Sequence, residues 1–223
     1  MAGLSTPSTS IENWKALAQG APIDGIVSLF QKSGNNFALT LNEKMKAAKR
    51  LHIYFSLDGS EEIEFFVIPA ADDVSTNKSI YSSGIYPLPL SATKTTISGD
   101  GELITWINNW CNDTMRDNWL MKVSNAPQVL VIHTDDFTVN DEHLCYLALR
   151  PNSNASIPTK NRMDLVIQNT VTNTFINVKL EAATATGIGP SYRDMARPVP
   201  PFGQENHAST DETNFGVLSL LGE

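Results

Sequence analysis

Residues 50–70, RLHIYFSLDGSEEIEFFVIPA, constrain the fold of this chain more than any other stretch. Leu51, Ile53, Phe55 and Leu57 alternate with His52, Tyr54 and Ser56. That period of two belongs to a strand with one face on a core. Asp58, Gly59 and Ser60 supply a turn, and Ile63, Phe65 and Val67 continue on a return strand. The segment therefore reads as an antiparallel hairpin, with His52, Tyr54 and Ser56 on its polar phase.

Helical periodicity precedes it. Ile11, Trp14, Leu17 and Ala18 recur at helical spacing behind Ser10, which is suited to cap them. Residues 1–10 are rich in Ser and Thr and are expected to be loose. Ile23, Ile26, Val27 and Phe30 form a second short stripe. A third helix, rich in Lys and Ala, is expected over about 38–49, led by Asn42–Glu43 or slightly earlier.

Beyond the hairpin, the polar segment 69–99 holds YPLPL, whose two prolines favour an extended edge or a covering loop. Leu103, Trp106, Ile107 and Trp110 then predict one long helix at about 100–115, capped by Asp100 or Ser98, with Trp119 after a break. Strands are expected over about 128–133 and 143–149, and two more lie in RMDLVIQNTVTNTFINVKLEAAT. Strands arrive in runs rather than alternating with helices. The expected class is thus α+β, with N-terminal helices and a mostly antiparallel sheet of about six strands. Residues 11–186 read as a single domain, and 187–223 as a flexible tail rich in Gly, Pro and polar residues with a short apolar end.

Charge narrows the function. The chain has 16 Lys and Arg against 24 Asp and Glu, a formal net charge of −8, and both halves are acidic. Its best basic cluster, KMKAAKR, is short and sits at an expected helix end, so no nucleic-acid partner is expected. No stretch approaches the roughly 18 apolar residues of a membrane span, and the first residues lack a leader pattern. Two cysteines make no disulfide framework. A soluble, cytoplasmic protein is the expectation.

VIHTDDFTVNDEH, residues 131–143, is the densest cluster of side chains able to carry chemistry. If the flanking strands pair as a hairpin, His133 and His143 face each other near Asp135 and Asp136. Such donors suit a divalent metal, with a carboxylate as general base on metal-bound water. Asp and Asn also populate ordinary turns, and the spacing matches no mechanistic motif, so no cofactor is the leading expectation. Cys145 shares a strand face with His143, but an apolar strand is where a thiol is commonly a small buried hydrophobe. The lone G-x-G at 187–189 leads into Pro190 and makes no phosphate cradle.

Two features suggest contacts with protein. Trp106 and Trp110 share a helix face, which either anchors a partner or packs on the sheet. In the tail, Pro198 and Pro201 frame a short P-x-x-P ending at Phe202, and Phe215, Leu218 and Leu221 lie in a terminal apolar segment. The sequence therefore favours a non-enzymatic structural or interaction protein that self-associates or docks in a larger assembly through its tail. A metal-dependent hydrolase built on His133, Asp135, Asp136 and His143 is the alternative.

Overall fold

The hairpin forms as its alternation dictates. β2 (Arg50–Leu57) and β3 (Ile63–Pro69) pair antiparallel, with Ile53 opposite Val67 and Phe55 opposite Phe65. Asp58 closes the turn by accepting the Ser60 and Glu62 amides on its side chain. In the computed structural model, which describes residues 6–20, 23–77, 79–122, 126–151, 161–176, 197–199 and 215–221, the chain is an α+β protein.

The strands divide between two antiparallel sheets rather than filling one. The first sheet runs β1 (Asn36–Thr40), β6 (Glu142–Pro151), β7 (Asn161–Asn169), β8 (Thr174–Phe175). The second runs β4 (Ile85–Pro89), β3, β2, β5 (Val129–His133), β9 (Arg197–Val199). Two layers arise because strands of both sheets carry apolar residues at every second position, and those faces bury against each other. Leu51, Ile53, Phe55, Phe65, Leu130 and Ile132 from one sheet join Leu39, Cys145, Leu147, Leu149, Met163 and Leu165 from the other in one core. Phe37 stacks on Phe65 across the layers, ring centroids 4.2 Å apart.

Helices close the open end and the outer faces. α1 (Pro7–Gly20) begins three residues before Ser10, which is buried instead of capping. Its Trp14 stacks on Phe55 at 5.1 Å and donates its indole N–H to the Pro127 carbonyl at 2.9 Å. α2 (Ile23–Lys32) adds Ile26, Leu29 and Phe30. The expected helix over 38–49 is corrected. Residues 36–40 are strand β1 against β6, and only α3 (Glu43–Ala47) is helical, capped by the Asn42 side chain on the Met45 amide. Pairing and burial of Phe37 and Leu39 override the helical preference of the neighbouring Lys and Ala.

The single long helix at 100–115 is also corrected. α4 (Glu102–Cys111) and α5 (Asp113–Leu120) meet at Asn112, whose extended backbone ends the first and whose side chain caps the second on the Met115 amide. α4 starts at Gly101, without a side-chain cap from Ser98 or Asp100. YPLPL becomes β4, an edge strand, where proline's missing N–H faces no neighbour. A last short helix, α6 (Gly216–Leu220), packs on the outer face of the second sheet.

Candidate functional site

The polar phase of the hairpin does not face solvent. His52, Tyr54 and Ser56 are all fully buried on the outer face of the second sheet. Tyr54 packs there in one cluster with Phe66, Ile68, Ile80, Val129, Val217 and Leu218. This second buried face needs a polar solution, and Asp73, after the β3 strand, supplies it.

Asp73 is itself 0% exposed and serves four donors. Its Oδ2 accepts the Tyr54 hydroxyl and, at 2.6 Å, the His52 Nδ1–H. Its Oδ1 accepts the Val217 amide at 2.8 Å, and its backbone carbonyl accepts the Gly216 amide at 3.1 Å. Burial, reinforced by the Asp73 carboxylate, holds the Tyr54 phenol well above its ordinary pKa, so it stays a donor. The Phe215 ring lies over His52 at 4.8 Å, and Lys15 Nζ donates to the Leu221 carbonyl at 3.2 Å. Gly216 fits where no other residue can. A Cβ there would lie 2.4–2.6 Å from backbone atoms of Val74 and Ser75. Asp73 is thus a clasp that joins the hairpin to the C-terminal segment.

The clasp superficially resembles a catalytic His–Asp pair. However, among the described residues Nε2 of His52 is buried with no hydrogen-bond partner, and none of them places a nucleophile on that nitrogen. The geometry holds a peptide segment through its backbone amides.

The VIHTDDFTVNDEH stretch is not a hairpin. β5 pairs with β2 and β9, whereas β6 pairs with β1 and β7, so the stretch crosses between sheets. α3 pins the crossing: Lys46 Nζ donates to the Thr134 and Asp135 carbonyls, and Thr134 Oγ1 donates to the Lys46 carbonyl. His133 is half-buried at the end of the second sheet, opposite Arg50. Asp135 and Asp136 are exposed. His143 is buried in the first sheet under Phe137. Its Nδ1–H donates to the Asp141 carbonyl at 3.0 Å, and its Nε2 faces the Thr138 amide at 3.4 Å. A carbonyl only accepts and an amide N–H only donates, so this is neutral imidazole, and burial lowers its pKa accordingly. Asn169 completes the arrangement through Asp141 Oδ2 at 2.7 Å. His133 and His143 therefore do not face each other as a hairpin would require, and among the described residues no three His, Cys, Asp or Glu gather to hold a metal ion.

Cys145 is fully buried and burial pushes its thiol up, which removes it as a nucleophile. Cys111 is also unpaired, and burial raises it too. Trp106 and Trp110 are core residues. Trp106 packs with Tyr146, Ala148 and Val166 on the outer face of the first sheet, and Trp110 meets Phe30 at 5.1 Å in the main core. A partner surface built on them is corrected: α4 spends both rings inside the protein. Pro198 lies in β9 opposite Leu130, not in a free polyproline stretch, and Pro201 and Phe202 lie outside the described residues. Phe215, Leu218 and Leu221 are packed against their own domain.

Sequence reasoning flagged His52 and Tyr54 as polar-phase residues and the terminal segment as apolar, but it missed Asp73. The available signal was a strand whose polar phase holds neutral His, Tyr and Ser with no charge. Such a phase fits a second buried face better than a wet one. No family model matches the chain, and no curated protein or solved structure matches it.

Proposed function

We propose that this chain is a non-enzymatic structural or interaction protein whose C-terminal segment is its docking element. The observation that carries the reading is the Asp73 clasp. A carboxylate and a carbonyl of one residue take the two consecutive amides of Gly216 and Val217, while Val217 and Leu218 are buried beside them. This is a receptor shaped for a short apolar segment, which follows β9 in the chain by fifteen residues, 200–214.

The same reading takes the partner to be protein, self or assembly, rather than nucleic acid, in keeping with the net charge of −8. No helix among the described residues is long and apolar enough to cross a membrane. With both cysteines unpaired, a reducing, cytoplasmic location is part of the proposal. Deleting residues 203–223 tests it. The expected result is a smaller native mass or loss of a co-purifying partner while cooperative unfolding persists. An unchanged mass and an unchanged partner set sink the reading.

A further inference from the structure

We propose that the groove above His52, Tyr54 and Asp73 is the subunit receptor of this protein, and that in assemblies it takes residues 215–221 of a second copy by reciprocal exchange. This rests on the reading of the C-terminal segment as a docking element and names its partner.

The argument begins with the fit. The groove accepts two consecutive amides on Asp73, an aromatic ring on His52, and two aliphatic side chains among Phe66, Ile68 and Ile80. It demands glycine between the aromatic and the aliphatic residues, because Val74 and Ser75 leave no room for a Cβ. Phe215-Gly216-Val217-Leu218 meets each demand, and every copy of the chain carries it.

The tether decides whether another copy's segment can be used. Residues 200–214 separate β9 from Phe215. Fifteen residues reach ~50 Å when extended. A domain of this length has a radius of gyration of about 17 Å. The segment can therefore pass to a neighbouring domain with its docking contacts unchanged. Since those contacts are identical within one chain and between two, the balance is set by concentration alone. For a connection of this length the effective concentration is ~1 mM. Docking is intramolecular in dilute solution, and exchange takes over when copies are held near that concentration. Reciprocal exchange closes a twofold dimer without any new surface.

Native mass spectrometry over ~1 µM to ~1 mM tests this, using full-length chains throughout. Gly216→Val spoils the segment and leaves the receptor intact. Asp73→Ala spoils the receptor and leaves the segment intact. If Asp73→Ala does not fold, Asp73→Asn keeps the side-chain volume while facing the His52 and Tyr54 donors with an amide. The wild-type chain is expected to dimerise toward the upper concentrations, with each variant alone at least ~10-fold weaker. An equimolar mixture of the two variants should then recover a heterodimer, because one native segment meets one native receptor. Failure of the mixture to recover, when each variant alone has lost dimerisation, overturns exchange and leaves the docking reading standing. A wild-type chain that stays monomeric across the range also overturns exchange. Variants that dimerise as tightly as wild type overturn both.

Discussion

The outer faces of the two sheets solve the same problem differently. Each is a buried face with a fully buried aspartate, Asp164 on the first sheet and Asp73 on the second. On the first sheet the cover is α4, and Asp164 Oδ2 meets Arg150 Nε at 2.7 Å, with the Arg150 guanidinium over the Trp106 ring. On the second sheet the cover is the C-terminal segment, and Asp73 bonds its amides directly. α4 is joined on one side to α5, which also packs into the main core through Trp119 and Leu120. The C-terminal segment is held by its own contacts with that face. One cover is built into the core, and the other is a short segment bonded to the Asp73 face. Local opening free energies should differ accordingly.

The largest effect is expected from breaking the integrated cover. Trp106→Ala removes a buried indole and its cation–π partner, and should lower unfolding free energy by about 3–5 kcal/mol in urea titration. A loss below about 1 kcal/mol would show that α4 is as separable as the tail.

Next comes the charge beneath that cover. Burial pushes the Asp164 carboxyl up to about 7, although Arg150 pulls it down. Between about pH 4 and 7 the folded chain then holds a proton that the unfolded chain has released. Stability should fall as pH rises through that window and level off above it, by at most about 1.4 kcal/mol per pH unit. His143 acts with the opposite sign: its lowered pKa gives stability that is present above about pH 6.5 and lost as pH falls below it. Asp164→Asn should remove the falling limb in denaturant midpoints taken across pH, leaving the rise attributable to His143. An unchanged profile would mean that Arg150 keeps Asp164 ionised throughout.

The smallest global effect is expected from the C-terminal cover. Gly216→Val should cost about 1–2 kcal/mol, since burial of Val217 and Leu218 is partly offset by the entropy of ordering the segment. Hydrogen exchange at the Val217 amide should accelerate far more than at Ile53 or Leu147. Equal acceleration at all three would make the segment part of the global folding unit and erase the contrast between the two faces.

Much of the local structure was legible in the sequence, and the places where it was not share a cause. The hairpin and the proline edge strand follow from alternation and the missing proline N–H, both of which act over a few residues. The reading of 38–49 as helix failed because Phe37 and Leu39 take their conformation from β6, more than a hundred residues away. The expected pairing of the strands that carry His133 and His143 failed because whether two strands pair with each other or belong to different sheets is a property of topology. Thirteen residues of polar sequence look the same as a hairpin turn and as a crossing between sheets.

By itself, then, the sequence determined the α+β class, the net negative charge, the hairpin and the apolar character of the C-terminal segment. Those rest on period, charge and propensity, which are local quantities. Only the tertiary structure decided that the strands form two layers, that His52 and Tyr54 are buried, and that Asp73 joins them to Gly216 and Val217. The physical reason is that a buried carboxylate is stabilised by the donors that reach it, and one donor to Asp73 comes from 144 positions along the chain.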